Sequence, residues 1–419
     1  MKIKVYDALM GSGKTETIIS EIKKSSMMNR YLYITPLLSE CHRIAGTKFD
    51  ADDILKRPII VDAEHSVLYD YDQKAPLKDR MFKHPNFSKN GNKGESLSFL
   101  LQVEDNIVST HQLFLNLTPD MLKNTSRYTL VIDETLTVYD IFDDYSSEEL
   151  NQMFKLGWIF IDEDDLTIRF NRNNFGLNGG DPSHTRYENF ACLCDLGQLL
   201  FVDGKVIVWE LSIDTLKKFR EVWIATYLFE GSLLSAYLKN HGMDYELIQF
   251  GRKPSEVKHL INVIDDKKLN AVGDTETALS VTHLKNNKIV PTILSSNLYN
   301  VFRNKLQTKK NDRMWTCFKN NKVTISKKRY TQDWIAFNTK ATNDYCHITN
   351  VAYLINLYPN PMILKAAAIK GNSINRDVFA LSEMVQFIWR SAIRNEKPIN
   401  LYIPSSRMRK LLLDWLGDK

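Results

Sequence analysis

The sequence predicts an α/β protein made of two tandem lobes with a cleft between them. Three features support this fold class. A strand, a glycine-containing loop and a helix open the chain at residues 3–22, a second apolar strand ends in two adjacent acids at 133–134, and the strand and helix pattern starts again after residue 252. Apolar strands that alternate with amphipathic helices are typical of parallel sheets covered by helices. With 419 residues, 43% of them hydrophobic, the chain is long enough for two cores, so we predict lobes over 1–252 and 253–419.

The bulk composition argues against a membrane-spanning or secreted protein. No run of about 18 apolar residues is present, and residues 1–7 lack the apolar segment of a secretory signal. The five cysteines are scattered, and the one close pair, Cys192 and Cys194, has no second pair at zinc-finger spacing. We therefore expect a cytoplasmic protein with reduced thiols, no membrane partner and no structural metal.

Positive charge is concentrated in residues 303–329, which we call the basic segment. It contains ten Lys or Arg and one acid, Asp312, for a net charge of +9, whereas the whole chain carries +5, so the other residues sum to −4. A basic stripe on a mildly acidic body is typical of a surface that binds a phosphate backbone. A solvated lysine-rich face is the alternative that composition leaves open.

The loop after the first strand predicts a site for a nucleoside triphosphate. Its sequence, residues 8–15, is Ala-Leu-Met-Gly-Ser-Gly-Lys-Thr. Glycine permits backbone conformations that turn successive N–H groups toward phosphate oxygens, and the following helix adds its positive end. The residues expected to hold the phosphates are Gly11, Ser12, Gly13, Lys14 and Thr15. In this pattern Lys14 reaches the β- and γ-phosphates and the Thr15 hydroxyl binds Mg²⁺.

The sequence after this P-loop predicts the helix that a phosphate site needs. Ile18, Ile19 and Ile22 have the spacing of a helix face that packs on a sheet. A chance Gly-Ser turn before Lys-Thr is the alternative, and the correctly placed strand and helix argue against it.

A second motif narrows the class of P-loop protein. The apolar run 128–132 has the composition of a buried strand and ends in Asp133 and Glu134. At the end of a strand beside the P-loop, Asp133 could hold the Mg²⁺ shell and Glu134 could polarise the attacking water. Hydrolytic motors need this second carboxylate, whereas small-molecule kinases do not. A GTPase is set aside because residues 338–341 lack the order and the acid of a guanine-binding element, so ATP is the expected nucleotide.

With both motifs in place, the chain resembles the superfamily 2 DExD/H-type helicases, especially phage-encoded members, over nearly its whole length. Ala8, where the usual P-loop begins with glycine, is a common variant in that group. Residues 31–36 resemble motif Ia and residues 107–112 resemble motif Ib. In the family these loops touch the backbone of the bound strand, which implies nucleic-acid contacts for Thr35, Ser109, Thr110 and His111. A turn or helix-cap role is the alternative for each.

The resemblance also implies two RecA-like lobes and a coupling element between them. Residues 221–226 resemble motif III, which relays the state of the nucleotide to the nucleic-acid side, so Thr226 is the coupling candidate. The acidic motif is Asp-Glu-Thr-Leu, neither DEAD nor DEAH, which leaves the subfamily open.

The second lobe is predicted from short apolar runs that indicate buried strands. These runs are 259–264, 334–338, 351–356 and 399–404. Residues 340–343 and 348–350 loosely resemble motif V, which implies a nucleic-acid contact for Thr342.

Residues 386–394 resemble motif VI, in which glutamine and arginines of one helix reach the γ-phosphate. The resemblance implies this role for Gln386, Arg390 and Arg394, and the spacing of the two arginines predicts the same side of a helix. Such an arginine neutralises charge that develops on the transferred phosphoryl group. Trp389 replaces a glycine of the family pattern and one extra residue precedes Arg394, so the choice of arginine finger stays open. A surface helix with two solvated arginines is the alternative.

Two further segments are predicted to lie outside the shared core. Residues 74–93 are polar, with Phe82 and Phe87 interleaved, and are expected to form a surface loop, with a strand-contact or wedge element as the alternative. Residues 136–218 are long for a helicase core and are expected to be an insertion that sets the choice of partner or substrate.

Taken together, the resemblance implies a helicase or translocase that uses ATP and Mg²⁺. The expected ligand is DNA rather than RNA, and the expected role is phage-type replication or recombination. The expected partners include proteins of those pathways, and the expected location is the host cytoplasm. Two alternatives remain: a duplex translocase or remodeller that does not unwind, and a nucleic-acid-binding clamp that uses ATP only as a conformational ligand. The sequence determines neither the polarity of movement nor the oligomeric state.

Overall fold

The computed structural model describes residues 1–46, 76–85, 92–176, 179–339, 344–369 and 371–417. In these ranges the strands are, in chain order, β1 (Lys2–Asp7), β2 (Arg30–Thr35), β3 (Ile107–Thr110), β4 (Tyr128–Asp133), β5 (Tyr139–Phe142), β6 (Ile159–Ile161), β7 (Ile168–Phe170), β8 (Leu199–Val202), β9 (Val206–Glu210), β10 (Glu221–Thr226), β11 (Glu246–Gln249), β12 (Ile261–Val263), β13 (Arg313–Thr316), β14 (Asn350–Tyr353) and β15 (Ile399–Tyr402). The α-helices are α1 (Lys14–Lys24), α2 (Leu38–Ala45), α3 (Lys93–Gln102), α4 (His111–Phe114), α5 (Pro119–Leu122), α6 (Ser147–Lys155), α7 (Glu188–Asp195), α8 (Ile213–Lys217), α9 (Leu233–Asn240), α10 (Pro254–Val257), α11 (Lys267–Asn270), α12 (Val281–Asn286), α13 (Val290–Tyr299), α14 (Lys322–Ser326), α15 (Pro361–Ala368), α16 (Arg376–Ile388) and α17 (Ser406–Trp415). Each helix in these ranges is too short or too polar to cross a lipid bilayer.

The first lobe contains a parallel sheet with the strand order β11-β1-β10-β4-β2-β3. Strands β1 and β4 each pair with β10, so that Ala225 lies opposite Tyr6 on one side and opposite Asp133 on the other. The carboxyl ends of parallel strands lie at the same edge of a sheet. The P-loop, the two acids and the end of β10 therefore meet at one edge.

Helix α1 covers one face of this sheet, as the spacing predicts. It buries Ile18, Ile19 and Ile22 in a core cluster that also contains Tyr33 of β2. The next residue of β2, Ile34, belongs to the core cluster on the opposite face. Successive side chains of a strand point to opposite faces, so a strand that is apolar throughout, like β2, is covered on both sides.

The second lobe contains a parallel sheet with the order β12-β15-β14-β13. The strands predicted within 259–264, 351–356 and 399–404 are confirmed as β12, β14 and β15. Together, the two parallel sheets with their covering helices confirm the predicted fold of two tandem α/β lobes. The exact boundary at residue 252 stays a prediction.

The strand predicted at residues 334–338 is wrong. That segment is irregular and forms one bridge, between Trp334 and Trp315 of β13. Ile335 is buried, and its N–H donates to the Trp315 carbonyl. The apolar pattern thus reflects burial beside the edge of the sheet without a continued ladder of hydrogen bonds. Strand β13 lies inside the basic segment. The many charged residues of that segment masked its apolar pattern, so the sequence did not predict this strand.

The predicted insertion, residues 136–218, builds two small antiparallel sheets. One has the order β5-β9-β8 and the other is the hairpin β6-β7. The insertion has a core cluster of its own, which includes Met153, Ile168 and Phe190. Its role in the choice of partner or substrate stays a prediction.

The two lobes share apolar contacts at several places, of which two concern the P-loop and helix α15. Leu9 of the P-loop is 2% exposed and belongs to a core cluster of the second lobe that includes Trp389. Helix α15 of the second lobe places Ala366 and Ala367 in the core cluster of the first. Packed side chains therefore fix the position of the P-loop relative to the second lobe.

The surface loop predicted at residues 74–93 is wrong for residues 76–85, which the structure describes together with residues 92–93 at the start of α3. Phe82 is 1% exposed and packs against Tyr31, with ring centroids 6.5 Å apart. Lys83 forms a parallel bridge with Ile107 at the edge of the first sheet. Burial of the Phe82 ring holds this segment on the lobe, and Phe87 lies outside the described residues.

Candidate active site

A cleft of about 570 Å³ lies where the carboxyl edge of the first sheet faces the second lobe. It is lined by Met10, Gly11, Gly13, Lys14, Thr15, Glu16, Glu40, Arg43, Asp133, Glu134, Thr135, Ala225, Thr226, Tyr227, Gln386, Trp389, Arg390 and Arg394. The fold thus brings the P-loop, the acidic pair and the motif VI segment to one site, although they are far apart in the sequence.

The P-loop has the conformation that its glycines predict. Gly11 and Gly13 adopt φ angles of 79° and 78°, in the left-handed region that favours glycine. Helix α1 begins directly after Gly13, so its free N–H groups point into the loop. The Lys14 ammonium donates to the carbonyls of Ala8, at 2.6 Å, and Leu9, at 3.3 Å. Burial lowers the pKa of Lys14 to about 8, against the opposing effect of nearby carboxylates.

Asp133 is buried at the end of β4 and is held by two hydroxyl groups. Thr15 Oγ1 donates to its Oδ2 at 3.3 Å, and the Tyr33 hydroxyl donates to the same oxygen at 2.7 Å. Burial raises the pKa of Asp133, and the bond from Tyr33 acts in the opposite direction. The hydroxyl of Thr15 and the carboxylate of Asp133 are hard oxygen donors, the type that Mg²⁺ prefers, so this pair fits the implied metal ion.

Glu134 occupies a strained turn directly after β4. Its φ angle is 65°, which is uncommon for a residue other than glycine. The turn is held on both sides: the His111 Nε2 atom lies 2.9 Å from the Asp133 carbonyl oxygen, and the Thr135 and Thr226 hydroxyl oxygens are 3.3 Å apart. The surrounding bonds therefore hold the residues on either side of Glu134, which itself lines the cleft.

The motif VI segment lines the cleft, but the predicted single helix face is wrong. Helix α16 ends at Ile388, and Arg394 lies in a separate 3₁₀ turn, Ala392–Asn395. Arg390 is 7% exposed and donates to the Phe337 carbonyl at 2.9 Å, whereas Arg394 is exposed. Gln386, still on the helix, donates through Nε2 to Ser382 at 3.1 Å. The break in the helix gives the two arginines different environments.

The predicted nucleic-acid contacts are largely buried. Thr35 and Ser109 are 1% and 0% exposed, because they occupy inward positions of β2 and β3, and His111 is also buried. Thr110 caps helix α4 through its hydroxyl oxygen, which accepts from the Leu113 N–H. The side chains of Thr35, Ser109 and His111 are therefore too buried to contact a nucleic-acid strand directly, and that prediction is wrong. Thr342 lies outside the described residues.

The basic segment presents most of its charge to solvent. Eight of its ten basic residues are exposed, namely Arg303, Lys305, Lys309, Lys310, Lys319, Lys327, Lys328 and Arg329. Arg313 is the main exception, since its Nε atom lies 2.8 Å from Asp333 Oδ2 in a largely buried ion pair. The segment is thus a charged surface with one structural arginine.

Sequence reasoning missed three residues of the site. Asp7, at the end of β1, accepts hydrogen bonds from the N–H groups of Leu228 and Phe229 at 2.9 and 3.3 Å, and so holds the loop after β10. Tyr33 was hidden because it lies in an apolar run of strand type. Arg43, which lines the cleft in an ion pair with Glu40, sits on a short helix with no motif around it.

Comparisons with known proteins give the family of this chain. Over its whole length it is 33% identical, across 443 aligned positions, to the SPbeta prophage-derived uncharacterized protein YonV of Bacillus subtilis (strain 168), of which 99% is covered. The chain belongs to the YonV family. Residues 255–416 match the family model described as the YonV C-terminal Rossmann-like domain.

Two solved helicase structures resemble the chain over most of its length. An XPD helicase is 13% identical with a TM-score of 0.46, and the match covers 99% of this chain and 90% of that chain. A DEAD box protein from the hyperthermophile Methanococcus jannaschii is 12% identical with a TM-score of 0.29, over 100% of this chain and 87% of that chain. Both scores are below 0.5, so neither match supports the fold assignment, which is based on the strand orders of the two sheets.

Proposed function

We propose that this protein hydrolyses ATP with Mg²⁺ and uses the energy to move along nucleic acid as a helicase or translocase. The observation that carries the proposal is the composition of the cleft. One lobe contributes a P-loop and an Asp-Glu pair, and the other contributes Gln386, Arg390 and Arg394. A site divided in this way links hydrolysis to the relative position of the lobes.

Each residue of the first lobe has a role that its geometry supports. Lys14 moves from the Ala8 and Leu9 carbonyls to the β- and γ-phosphates, and the backbone of Gly11, Ser12 and Gly13 surrounds them. Thr15 and Asp133 hold Mg²⁺, which neutralises phosphate charge when bound. Glu134 orients and deprotonates the attacking water.

We assign the arginine finger to Arg394. Its side chain is exposed and lines the cleft, so it can rearrange toward a phosphate. Arg390 is buried and already donates to the Phe337 carbonyl, so a similar move would leave that carbonyl without this donor. Arg390 then supports the turn that carries Arg394.

The loop after β10 is the proposed coupling element. Thr226 contacts Thr135, the neighbour of Glu134, while the next residue, Tyr227, accepts a hydrogen bond from Trp415 Nε1 of the second lobe at 2.7 Å. One short segment therefore touches both the catalytic turn and the opposite lobe. A change at the nucleotide would reach the second lobe through it.

The nucleic acid is proposed to bind through the exposed part of the basic segment, with DNA as the preferred ligand. Eight exposed basic residues would release counterions on binding, so the affinity should fall steeply with salt. We place the activity in phage replication or recombination, consistent with the prophage origin of the relative.

The test is ATP turnover measured side by side with single-stranded DNA, duplex DNA and RNA. We expect DNA to stimulate turnover, and Glu134→Gln to lower kcat by about 10²- to 10⁴-fold while nucleotide binding is kept. Glu148→Gln, on an exposed helix of the insertion, is the matched control and should leave kcat unchanged. If nucleic acid does not stimulate ATP turnover by the wild type but DNA binding still depends on ATP, the protein is a nucleic-acid-binding clamp and the proposal is wrong. Forked-duplex unwinding against triplex displacement separates a helicase from a duplex translocase.

A further inference from the structure

A buried tyrosine of the first sheet contacts the proposed metal ligand. Tyr33 is 0% exposed in the middle of β2, and its hydroxyl donates to Asp133 Oδ2 at 2.7 Å. The Thr15 hydroxyl donates to the same oxygen at 3.3 Å. Both donors therefore converge on one oxygen of one carboxylate.

Two donors on the same oxygen restrict rotation of the carboxylate. The 2.7 Å length is that of a well-formed O–H···O hydrogen bond, and a bond to an ionised acceptor is stronger than a neutral one. Thr15 must also serve the metal ion, so Tyr33 is the donor that can stay on Asp133 throughout. Groups of this kind orient the ligands of a metal and affect its affinity.

We infer that Tyr33 is a positioning residue that sets the orientation of Asp133 for Mg²⁺ in the nucleotide complex. This inference rests on the proposed function. Tyr33 acts through Asp133 and is not itself a ligand, since it is buried, does not line the cleft and donates its hydroxyl hydrogen to the carboxylate.

The chain contains a matched control on the same strand. Tyr31 lies two residues earlier, so its side chain is on the same face of the sheet, and it is 1% exposed. Its hydroxyl donates at 2.7 Å to Ser25 Oγ, away from the cleft. Tyr31→Phe and Tyr33→Phe therefore each remove a buried hydroxyl from the same face of β2, and only Tyr33→Phe removes one that donates to the carboxylate.

The experiment measures Mn²⁺ binding to the full chain in the presence of ADP, from the electron paramagnetic resonance signal of free Mn²⁺. We expect Tyr33→Phe to raise the Kd for Mn²⁺ by about 10- to 100-fold, and Tyr31→Phe to leave it unchanged. The Mg²⁺ concentration that gives half-maximal ATP turnover should rise in parallel for Tyr33→Phe alone. Urea denaturation midpoints without metal should fall in both variants, and further for Tyr33→Phe because its lost bond is to a carboxylate.

A second set of variants tests whether Tyr33 acts through Asp133. In an Asp133→Asn background, which removes the charged acceptor, the extra Tyr33→Phe substitution should change the Mn²⁺ affinity by less than twofold. Equal Kd values for Tyr31→Phe and Tyr33→Phe would overturn the inference and leave the proposed function standing. If the wild type binds no Mn²⁺ with ADP and hydrolyses no ATP, the proposed function and the inference fall together.

Discussion

Replacing Gly251 by alanine is expected to weaken nucleotide binding, although this glycine lies outside every nucleotide motif. Gly251 follows β11 in the connection between the lobes and adopts φ +81°. A Cβ atom placed there would lie 2.4 Å from Ser12 Cβ and 2.6 Å from Ser12 Oγ. Since Ser12 belongs to the P-loop, the new methyl group would push on the backbone that surrounds the phosphates.

The magnitude follows from two separable costs. The left-handed conformation costs a residue other than glycine about 1–2 kcal/mol. Overlap with a well-packed neighbour adds about 1–3 kcal/mol. If the P-loop relieves the overlap by moving, binding must restore its position, and the same 1–3 kcal/mol corresponds to an affinity loss of about 5- to 150-fold.

Gly242 provides the matched control for the backbone term. It also has a left-handed conformation, with φ +63°, but a Cβ atom there would have no heavy atom of the described residues within 4 Å beyond its immediate chain neighbours. Gly242→Ala should therefore lower the free energy of unfolding by about 1–2 kcal/mol without affecting nucleotide binding. Urea denaturation and titration with a fluorescent ADP analogue measure the two effects.

A second-site variant tests the contact directly. Ser12→Gly removes both close atoms, and the nearest remaining Ser12 atom, Cα, lies 3.7 Å from the new Cβ, an ordinary contact. Relative to Ser12→Gly alone, Gly251→Ala should then have no further effect on ADP affinity. The reasoning is refuted if Gly251→Ala and Gly242→Ala bind the analogue equally well, or if the loss persists when Ser12 is glycine.

Two further predictions concern the arginines and the pH dependence of stability. Arg394→Ala should lower kcat by about 10³-fold or more, whereas Arg390→Ala should mainly lower the free energy of unfolding because the buried bond to Phe337 is lost; the opposite ranking of kcat values would reassign the finger. Burial lowers the pKa of His84 from 6.5 to about 4, so the folded protein excludes a proton that the unfolded chain binds. The stability from this group is therefore complete above pH 6.5 and falls by up to about 3 kcal/mol as the pH decreases toward 4. His84→Phe should flatten the dependence of the unfolding free energy on pH in that range, and an unchanged slope would contradict the assignment.

Local sequence was sufficient for the parts of the site that depend on one segment. The glycines at 11 and 13, the isoleucine spacing of α1 and the apolar run before Asp133 each act through backbone conformation or burial within a few residues. Those patterns correctly predicted a glycine-containing loop between β1 and α1 and the buried strand that ends in Asp133; phosphate binding by the loop stays a prediction. They also gave the fold class, because repeated strands and helices of this type form parallel sheets.

The failures have equally local causes. Residues 334–338 are apolar because Ile335 is buried, yet burial alone does not require a strand. The spacing of Arg390 and Arg394 fits a helix that continues past Ile388, while a turn also allows both to line the cleft. The hydroxyls of Thr35 and Ser109 suggest surface positions. The residue type alone, however, does not indicate whether other parts of the protein pack over that face of the strand.

By itself, the sequence determined which residues are candidates for the site: those of the glycine-containing loop, two adjacent acids and a pair of arginines. Only the tertiary structure decided which atoms share a site, because the bonds of Tyr33 to Asp133 and of Thr135 to Thr226, and the contact of Gly251 with Ser12, join segments separated by about 90 to 240 residues along the chain. The order of the strands places these residues at one edge of a sheet. That order cannot be predicted from the hydrophobic periodicity of any single segment.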